Sequence, residues 1–336
     1  MGIGLGPLMN FLRACGRFFE QKIGLHRLGI ALSIIIIAVA AVVLYRKLHN
    51  INLGKVLTAM ATVEYRDVAI SALFVALGYF TLTFYDLFAL RTIGRKDVPY
   101  RVAALAGFTS YSVGHNVGAS VFTGGAVRYR IYSAWGLDAI EVAKICFIAG
   151  LTFWLGNITV LGFGFAYHPE AASAIDQLPF WMNRMLGIAA LVVLVGYIAW
   201  VWRTPRIIGR QNWQVQLPNG PLTLLQILIG IIDLTCCAFA MYMLVPNDPK
   251  IEFIDVAVIF ITATLLGFAS HSPGGLGVFD AAMLIALWQY DAEDLLAGLL
   301  IFRLLYYIMP FALALITLGI RELCLHIAGR RNVGDR

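Results

Sequence analysis

Nine apolar stretches separated by short polar loops occupy most of this 336-residue chain. A helix needs about 20 consecutive apolar residues to cross the hydrocarbon core of a bilayer, and several stretches approach or exceed that length. Only 13% of the residues are charged, against about 25% in soluble domains. The sequence therefore predicts an all-α polytopic membrane protein that forms a single domain over residues 1–336, with apolar stretches at roughly 28–45, 67–90, 102–122, 138–166, 183–202, 221–245, 254–270, 279–290 and 295–320.

The distribution of basic residues indicates how these stretches cross the membrane. The formal net charge is +6, but Lys and Arg lie in short loops beside apolar stretches, which is typical of cytosolic loops rather than of a nucleic-acid surface. If all nine stretches crossed, the two basic termini would lie on opposite sides. We therefore predict re-entrant helical hairpins at 102–135 and 254–290, six full spans, and both termini in the cytosol. The alternative is that the hairpins cross fully, giving eight or more membrane helices. The basic segment 46–66 fits the predicted arrangement poorly.

The two halves of the chain, 28–166 and 183–320, show the same order of landmarks. Each half reads span, span, hairpin, span, and an odd number of spans separates the hairpins, so the second half would be inverted. Asp86 precedes Gly124-Gly125 as Asp233 precedes Gly274-Gly275. This pattern predicts an inverted repeat, as in many transporters. Chance similarity between apolar sequences is the alternative.

The first 27 residues differ from the spans. Leu8, Leu12, Cys15, Phe19 and Ile23 recur at helical spacing among basic residues. This pattern predicts an amphipathic helix that lies in the membrane interface.

Soluble-enzyme motifs are missing from the sequence. It contains no P-loop, no Gly-x-Ser-x-Gly elbow and no zinc-type histidine pair. The five cysteines have no metal-ligand spacing. We therefore expect neither a cofactor nor a metal, and no ATP-driven pumping.

Glycine pairs mark two predicted breaks in the helices. Thr123-Gly124-Gly125 precedes Arg128 and Arg130, and His271 precedes Pro273-Gly274-Gly275. A helix that restarts after a break presents free N–H groups, which suit a phosphate. The alternatives are that the first glycines serve close packing and that both arginines are positive-inside anchors. His271 could serve proton coupling or be a neutral core residue.

Other polar residues lie within the apolar sequence, where they are costly and mark function by default. They are His115, Asn116, Asp86, Asp233, Asp280 and Arg303. His115 and Asn116 need polar partners. Asp86 could instead cap a helix beside Arg91, and Asp280 and Arg303 could instead form a buried structural pair.

At these residues the sequence resembles a known family, the membrane flippase domain of the bacterial bifunctional lysylphosphatidylglycerol synthetase/flippase. The resemblance rests on five segments: Gly114-His115-Asn116-Val117-Gly118, the run from Thr123 to Arg130, the run from Tyr132 to Leu137, Gly150-Leu151-Thr152-Phe153-Trp154-Leu155-Gly156, and Pro273-Gly274-Gly275-Leu276-Gly277-Val278-Phe279-Asp280. It implies translocation of an aminoacylated phospholipid across the bacterial inner membrane, a process linked to resistance to antimicrobial peptides. Because the chain stops at Arg336, we expect no synthetase domain and no enzymatic activity.

The leading hypothesis is therefore a phospholipid flippase with the two glycine breaks facing each other. Arg128 and Arg130 would hold the phosphate, and Asp86, Asp233 and Asp280 would hold an amine. One alternative is an intramembrane enzyme that modifies lipid headgroups with His115, His271 and Asp280. Another is a non-catalytic partner of a separate lipid synthetase. A homodimer is left open.

Overall fold

A computed structural model describes residues 25–48, 51–118, 120–204, 206–210 and 213–334. The predicted interfacial helix at 1–27 lies almost wholly outside the described residues. The described helices and strands, in chain order, are α1 Leu25–Leu48, α2 Leu53–Thr62, α3 Tyr65–Thr92, α4 Tyr100–Val117, α5 Ser120–Tyr132, α6 Ala139–Tyr167, α7 Pro169–Asp176, α8 Phe180–Val201, β1 Ile207–Arg210, β2 Trp213–Gln216, α9 Gly220–Tyr242, α10 Phe253–Ala269, α11 Val278–Ala286, α12 Ala292–Arg303 and α13 Met309–Gly334.

Among the described residues, five helical segments are long and apolar enough to cross a membrane. They are Tyr65–Thr92, Ala139–Tyr167, Phe180–Val201, Gly220–Tyr242 and the continuous Ala292–Cys324. Each coincides with one of the six predicted spans. The remaining predicted span, 28–45, lies within α1. The chain is therefore an α-helical multi-pass membrane protein, while the number of spans and the inverted repeat stay predictions.

Both predicted hairpins are pairs of helices. Helices α4 and α5 have 18 and 13 residues, and α10 and α11 have 17 and 9. At 1.5 Å per residue, α5 is about 20 Å long and α11 about 14 Å, short of the roughly 30 Å of hydrocarbon in a bilayer. These lengths favour re-entrance over full crossing.

The long helices pack closely at the centre of the molecule. A Cβ on Gly156 of α6 would lie 2.8 Å from Gly230 Cα of α9, so the two backbones touch. Small residues permit this approach between membrane helices. The largest buried cluster includes Tyr85 of α3, Phe279 of α11 and Phe302 of α12, so it joins both halves of the chain.

A loop between α3 and α4 fixes the first hairpin to α6. The Arg95 guanidinium donates to Glu141 at 3.2 Å and to the Trp135 carbonyl at 2.7 Å. A backbone hydrogen bond and the Arg95 guanidinium lower the pKa of Asp97 in the same loop. Both ends of the α4–α5 hairpin are therefore held together.

The antiparallel pair β1–β2 was not predicted. Its strands pair Ile208 with Val215 and Arg210 with Trp213. Val215 is buried against the first half, and the Trp213 ring lies 5.5 Å from Phe147. The polar segment after α8 therefore folds back on the helices instead of forming a simple loop.

Candidate functional site

The tips of the two hairpins meet at the second predicted break, but not at the first predicted glycine pair. Helix α4 ends at Gly118, where φ is +80°. A Cβ there would lie 3.5 Å from Pro273 Cα. The break in the first hairpin is therefore at Gly118. Its positive φ is a conformation that residues with side chains rarely adopt.

The prediction of a break at Gly124-Gly125 was wrong, because both residues lie inside α5. A Cβ on Gly124 would lie 3.1 Å from the Ser110 carbonyl oxygen, and one on Gly125 would lie 3.7 Å from Cys146 Sγ. The pair therefore allows α5 to pack closely against α4 and α6, which was the open alternative. Their N–H groups belong to a continuous helix, so they are not free for a phosphate.

The second predicted break is confirmed. Pro273–Gly275 form a short 3-10 turn between α10 and α11. Positive φ values occur at His271 (57°), Gly274 (60°), Gly275 (62°) and Gly277 (82°). Such a run cannot continue an α-helix, so the turn separates the two helices of the hairpin.

A cavity of about 450 Å³ lies between the two hairpins, α6 and the turn after α12. It brings together five of the predicted site residues, namely His115, Arg128, His271, Gly274 and Gly275. Seven of the other lining residues are aromatic, namely Tyr111, Phe122, Phe153, Trp154, Phe268, Phe279 and Tyr307, and most of the rest are small. The cavity is therefore largely apolar, with a few polar groups at fixed places, as ligand sites usually are.

Arg128 is the cationic side chain of this wall, and Asp86 lies behind it. Arg128 Nε donates to Asp86 Oδ2 at 2.9 Å, and Nη2 donates to Oδ1 at 2.7 Å. The Tyr132 hydroxyl donates to Oδ2 at 2.8 Å. Asp86 is fully buried and Arg128 is 5% exposed. A bidentate pair of this kind is strong and geometrically specific, so Asp86 positions Arg128 rather than Arg91.

Asp280 and Arg303 form the matching pair in the second half. Arg303 Nη2 donates to Asp280 Oδ2 at 2.7 Å and Nε donates to Oδ1 at 2.9 Å. Arg303 Nη1 donates to the Gly274 carbonyl at 3.0 Å. The buried-pair alternative for these residues is thus the one observed. In each half, one Arg–Asp pair joins the second helix of the hairpin to a neighbouring helix.

Asp233 lies apart from the cavity. It is 4% exposed and accepts a hydrogen bond of 3.0 Å from the Tyr85 hydroxyl. Cys237 Sγ approaches its other oxygen at 3.9 Å. Within the described part of the chain, no Lys or Arg forms an ion pair with it.

His115 and Asn116 lie near the hairpin tips. The His115 ring is 5.7 Å from Tyr111 and 6.0 Å from Tyr306, measured between ring centroids. Its buried Nδ1 has no hydrogen-bond partner among the residues that the structure describes. Asn116 Nδ2 donates to the Tyr307 carbonyl at 3.1 Å. That carbonyl belongs to a π-helical turn, Leu304–Ile308, between α12 and α13.

Arg130 does not reach the cavity. Its side chain is 67% exposed and donates to Glu322 Oε2 at 2.6 Å. This placement agrees with the open alternative that Arg130 is a surface anchor. Of the two predicted arginines, Arg128 therefore lines the cavity and Arg130 does not.

The aromatic wall was missed as a functional feature. Tyr111 lies within the polar run that drew attention to His115, and the Arg128 guanidinium stands 4.8 Å from its ring centroid. Trp154 belongs to a segment already singled out for its resemblance. Aromatic residues inside polar or glycine-rich runs were the available signal.

The comparisons with known proteins agree on one family. The family model described as the lysylphosphatidylglycerol synthase transmembrane region matches residues 28–314. This range includes both hairpins and every residue of the cavity wall.

Three relatives illustrate the range of similar proteins. The uncharacterized protein slr0712 of Synechocystis sp. is 28% identical over 93% of this chain and 95% of its own length. The inner membrane protein YbhN of Escherichia coli is 28% identical over 72% of this chain and 76% of its own length. A phosphatidylglycerol lysyltransferase of Staphylococcus haemolyticus is 28% identical over 84% of this chain. The match covers 33% of that lysyltransferase, so this chain corresponds to about a third of its length.

Proposed function

Because the chain belongs to the family of lysylphosphatidylglycerol synthase transmembrane regions, we propose that it moves an aminoacylated or related phospholipid between the leaflets of the bacterial inner membrane. The observation that carries the proposal is the cavity between the two hairpin tips, with Arg128 in a largely apolar wall that contains seven aromatic residues. Family relatives named for phosphatidylglycerol lysyl transfer make a phospholipid headgroup the natural cargo.

Part of the cavity wall is exposed at the protein surface. Two of its lining residues, Phe122 and Trp154, are 81% and 54% exposed. Exposed apolar side chains on a membrane-spanning bundle face acyl chains. A headgroup could therefore enter sideways while its acyl chains stay in the bilayer.

The paired charges favour a headgroup that carries both a phosphate and an amine. Asp86 neutralises Arg128, and Asp280 neutralises Arg303. The site therefore has no large net charge. A large net charge would select a purely anionic or a purely cationic ligand. We assign Arg128 to the phosphate and the aromatic faces, Tyr111 among them, to the amine through cation–π contact. Asp86 and Asp280 then act through their arginines, and Asp233 and Arg130 lie outside the path.

Reconstituted liposomes test the proposal. Full-length protein is incorporated with a fluorescent aminoacyl-phosphatidylglycerol, and an impermeant quencher reports the label that remains protected in the inner leaflet. We expect protein-dependent transport that Arg128→Ala, made together with Asp86→Ala, reduces at least tenfold. Arg130→Ala is the matched control, since it lies on the same helix two residues away and faces outward. Protein that transports no phospholipid, or a double variant as fast as the parent, would contradict the proposal.

An intramembrane enzyme is the second candidate, because His115 and His271 line the same cavity. It requires a covalent change in the headgroup. Mass spectrometry of lipids recovered from the same liposomes separates the two functions, because transport leaves the lipid mass unchanged. Co-purification with a lipid synthetase, and transport only in its presence, would instead indicate the role of a partner subunit.

A further inference from the structure

We propose that His168, Glu252 and Asp255 bind a divalent transition-metal ion such as Zn²⁺. One ligand atom from each of the three side chains lies within 4.8 Å of the other two. None of the three lines the cavity between the hairpins. The proposal therefore stands independently of the transport function.

The backbone brings these residues together from two places in the chain. His168 lies at the junction of α6 and α7. Glu252 is the residue before α10, and Asp255 is in the first turn of that helix. Helix α7 packs against α10 through the buried residues Ala171 and Ala172. The three side chains thus project from packed elements, which hold metal ligands more accurately than mobile loops do.

Among the residues that the structure describes, no other partner explains why the two carboxylates lie close together. Glu252 precedes the helix but makes no side-chain capping hydrogen bond to it. Asp255 Oδ1 lies 3.1 Å from His168 Nδ1. Across the described ranges, neither carboxylate forms an ion pair with a Lys or Arg. A histidine supplies at most one positive charge against two carboxylates, so a dication would balance the cluster.

The donor set indicates the class of metal. One imidazole with two carboxylates suits Zn²⁺ and similar ions better than Ca²⁺ or Mg²⁺, which prefer oxygen donors alone. Bonds of about 2.0–2.2 Å place two ligands of a tetrahedral zinc about 3.3–3.6 Å apart. The 3.1 Å separation between His168 and Asp255 is near that value, and side-chain rotation would bring in Glu252. His168 and Asp255 side chains are 29% and 32% exposed, so an ion can reach them.

A bound ion would join the start of α10, the first helix of the second hairpin, to the end of α6. The expected stoichiometry is one ion per chain.

Metal titration of the full-length, untagged protein in detergent tests the site. After treatment with a chelator, Zn²⁺ binding is followed by calorimetry, and Co²⁺ is added separately because its absorption spectrum reports the ligands. We expect one Zn²⁺ per chain, and a dissociation constant raised at least about tenfold by His168→Ala and by Asp255→Asn. Glu252→Gln, at an exposed position, provides a variant that should fold normally and also weaken binding.

Asp294→Asn is the matched control, because Asp294 is likewise an exposed acid in the first turn of a helix, α12. It should leave the dissociation constant unchanged. Three results would overturn the site: no Zn²⁺ bound by the parent protein, binding that survives all three ligand variants, or an equal loss in Asp294→Asn.

Discussion

Breaking the buried pair between Asp86 and Arg128 should destabilise the protein more than deleting the pair altogether. Three hydrogen bonds of 2.7–3.2 Å join the two side chains, and Asp86 is fully buried. Removing one partner leaves an uncompensated buried charge, which costs about 3–5 kcal/mol. Replacing both with apolar residues removes both charges together. We therefore expect Asp86→Ala and Arg128→Met each to cost about 3–5 kcal/mol, and the double variant far less than their sum.

Equilibrium unfolding in mixed micelles measures this difference through a double-mutant cycle. The coupling free energy should be at least about 3 kcal/mol, the upper end of the usual range for contacting residues, because the double variant should cost less than either single variant. Arg130 and Glu322 provide the control pair, since they are bonded at 2.6 Å but exposed. Their coupling should not exceed about 1 kcal/mol. Additivity within about 0.5 kcal/mol at Asp86 and Arg128 would refute the reasoning.

The same cycle separates stability from transport. The double variant should regain most of the lost stability, yet it lacks the guanidinium that we assign to the phosphate. We expect it to be folded and inactive. A folded double variant with full transport would show that Arg128 only stabilises the hairpin.

Three further changes test other parts of the structure. Gly156→Leu should destabilise the protein by about 1–3 kcal/mol in the unfolding assay, because Gly230 Cα lies 2.8 Å from the position of the new Cβ. Gly196→Leu is the control and should have little effect, because the space around Gly196 is open. Equal losses of stability in the two variants would contradict the close packing of Gly156 against Gly230. Asn116→Ala should cost about 1 kcal/mol by removing the donor to the Tyr307 carbonyl, whereas Asn157→Ala, which loses only a bond within its own helix, should cost less. A single cysteine near each end of the chain should react with an impermeant thiol reagent only after cells are opened, since both termini are predicted to be cytosolic; labelling of either end in intact cells would refute that topology.

Sequence reasoning identified the spans better than the contacts between them. Five spans were readable because length and hydropathy set the crossing of a bilayer. The position of the first break could not be predicted, because Gly124 and Gly125 lie inside a helix and pack against Ser110 and Cys146, which are distant in sequence and lie on other helices. Gly118 carries the positive φ instead, and its own neighbours in sequence do not distinguish it from other small residues.

The charged residues were likewise easier to identify from the sequence than their contacts were to predict. Asp86, Asp280 and Arg303 were identified because charge within apolar sequence is rare, and Arg128 because it follows a glycine pair. Their pairing was harder to predict, since 42 positions separate Asp86 from Arg128 and only the folded hairpin brings them together. Arg130 was grouped with Arg128 from its spacing, but two residues along a helix point in different directions, and Arg130 faces Glu322.

Filling the cavity without disturbing the fold tests the transport path most directly. Gly150 lines the cavity, and a Cβ placed on it would meet no atom within 4 Å. Gly196 of α8 has equally open surroundings but lies outside the cavity. We predict that Gly150→Trp abolishes phospholipid transport in liposomes while Gly196→Trp leaves it unchanged, with both variants as stable as the parent. Undiminished transport by a folded Gly150→Trp variant would contradict a headgroup path between the two hairpins.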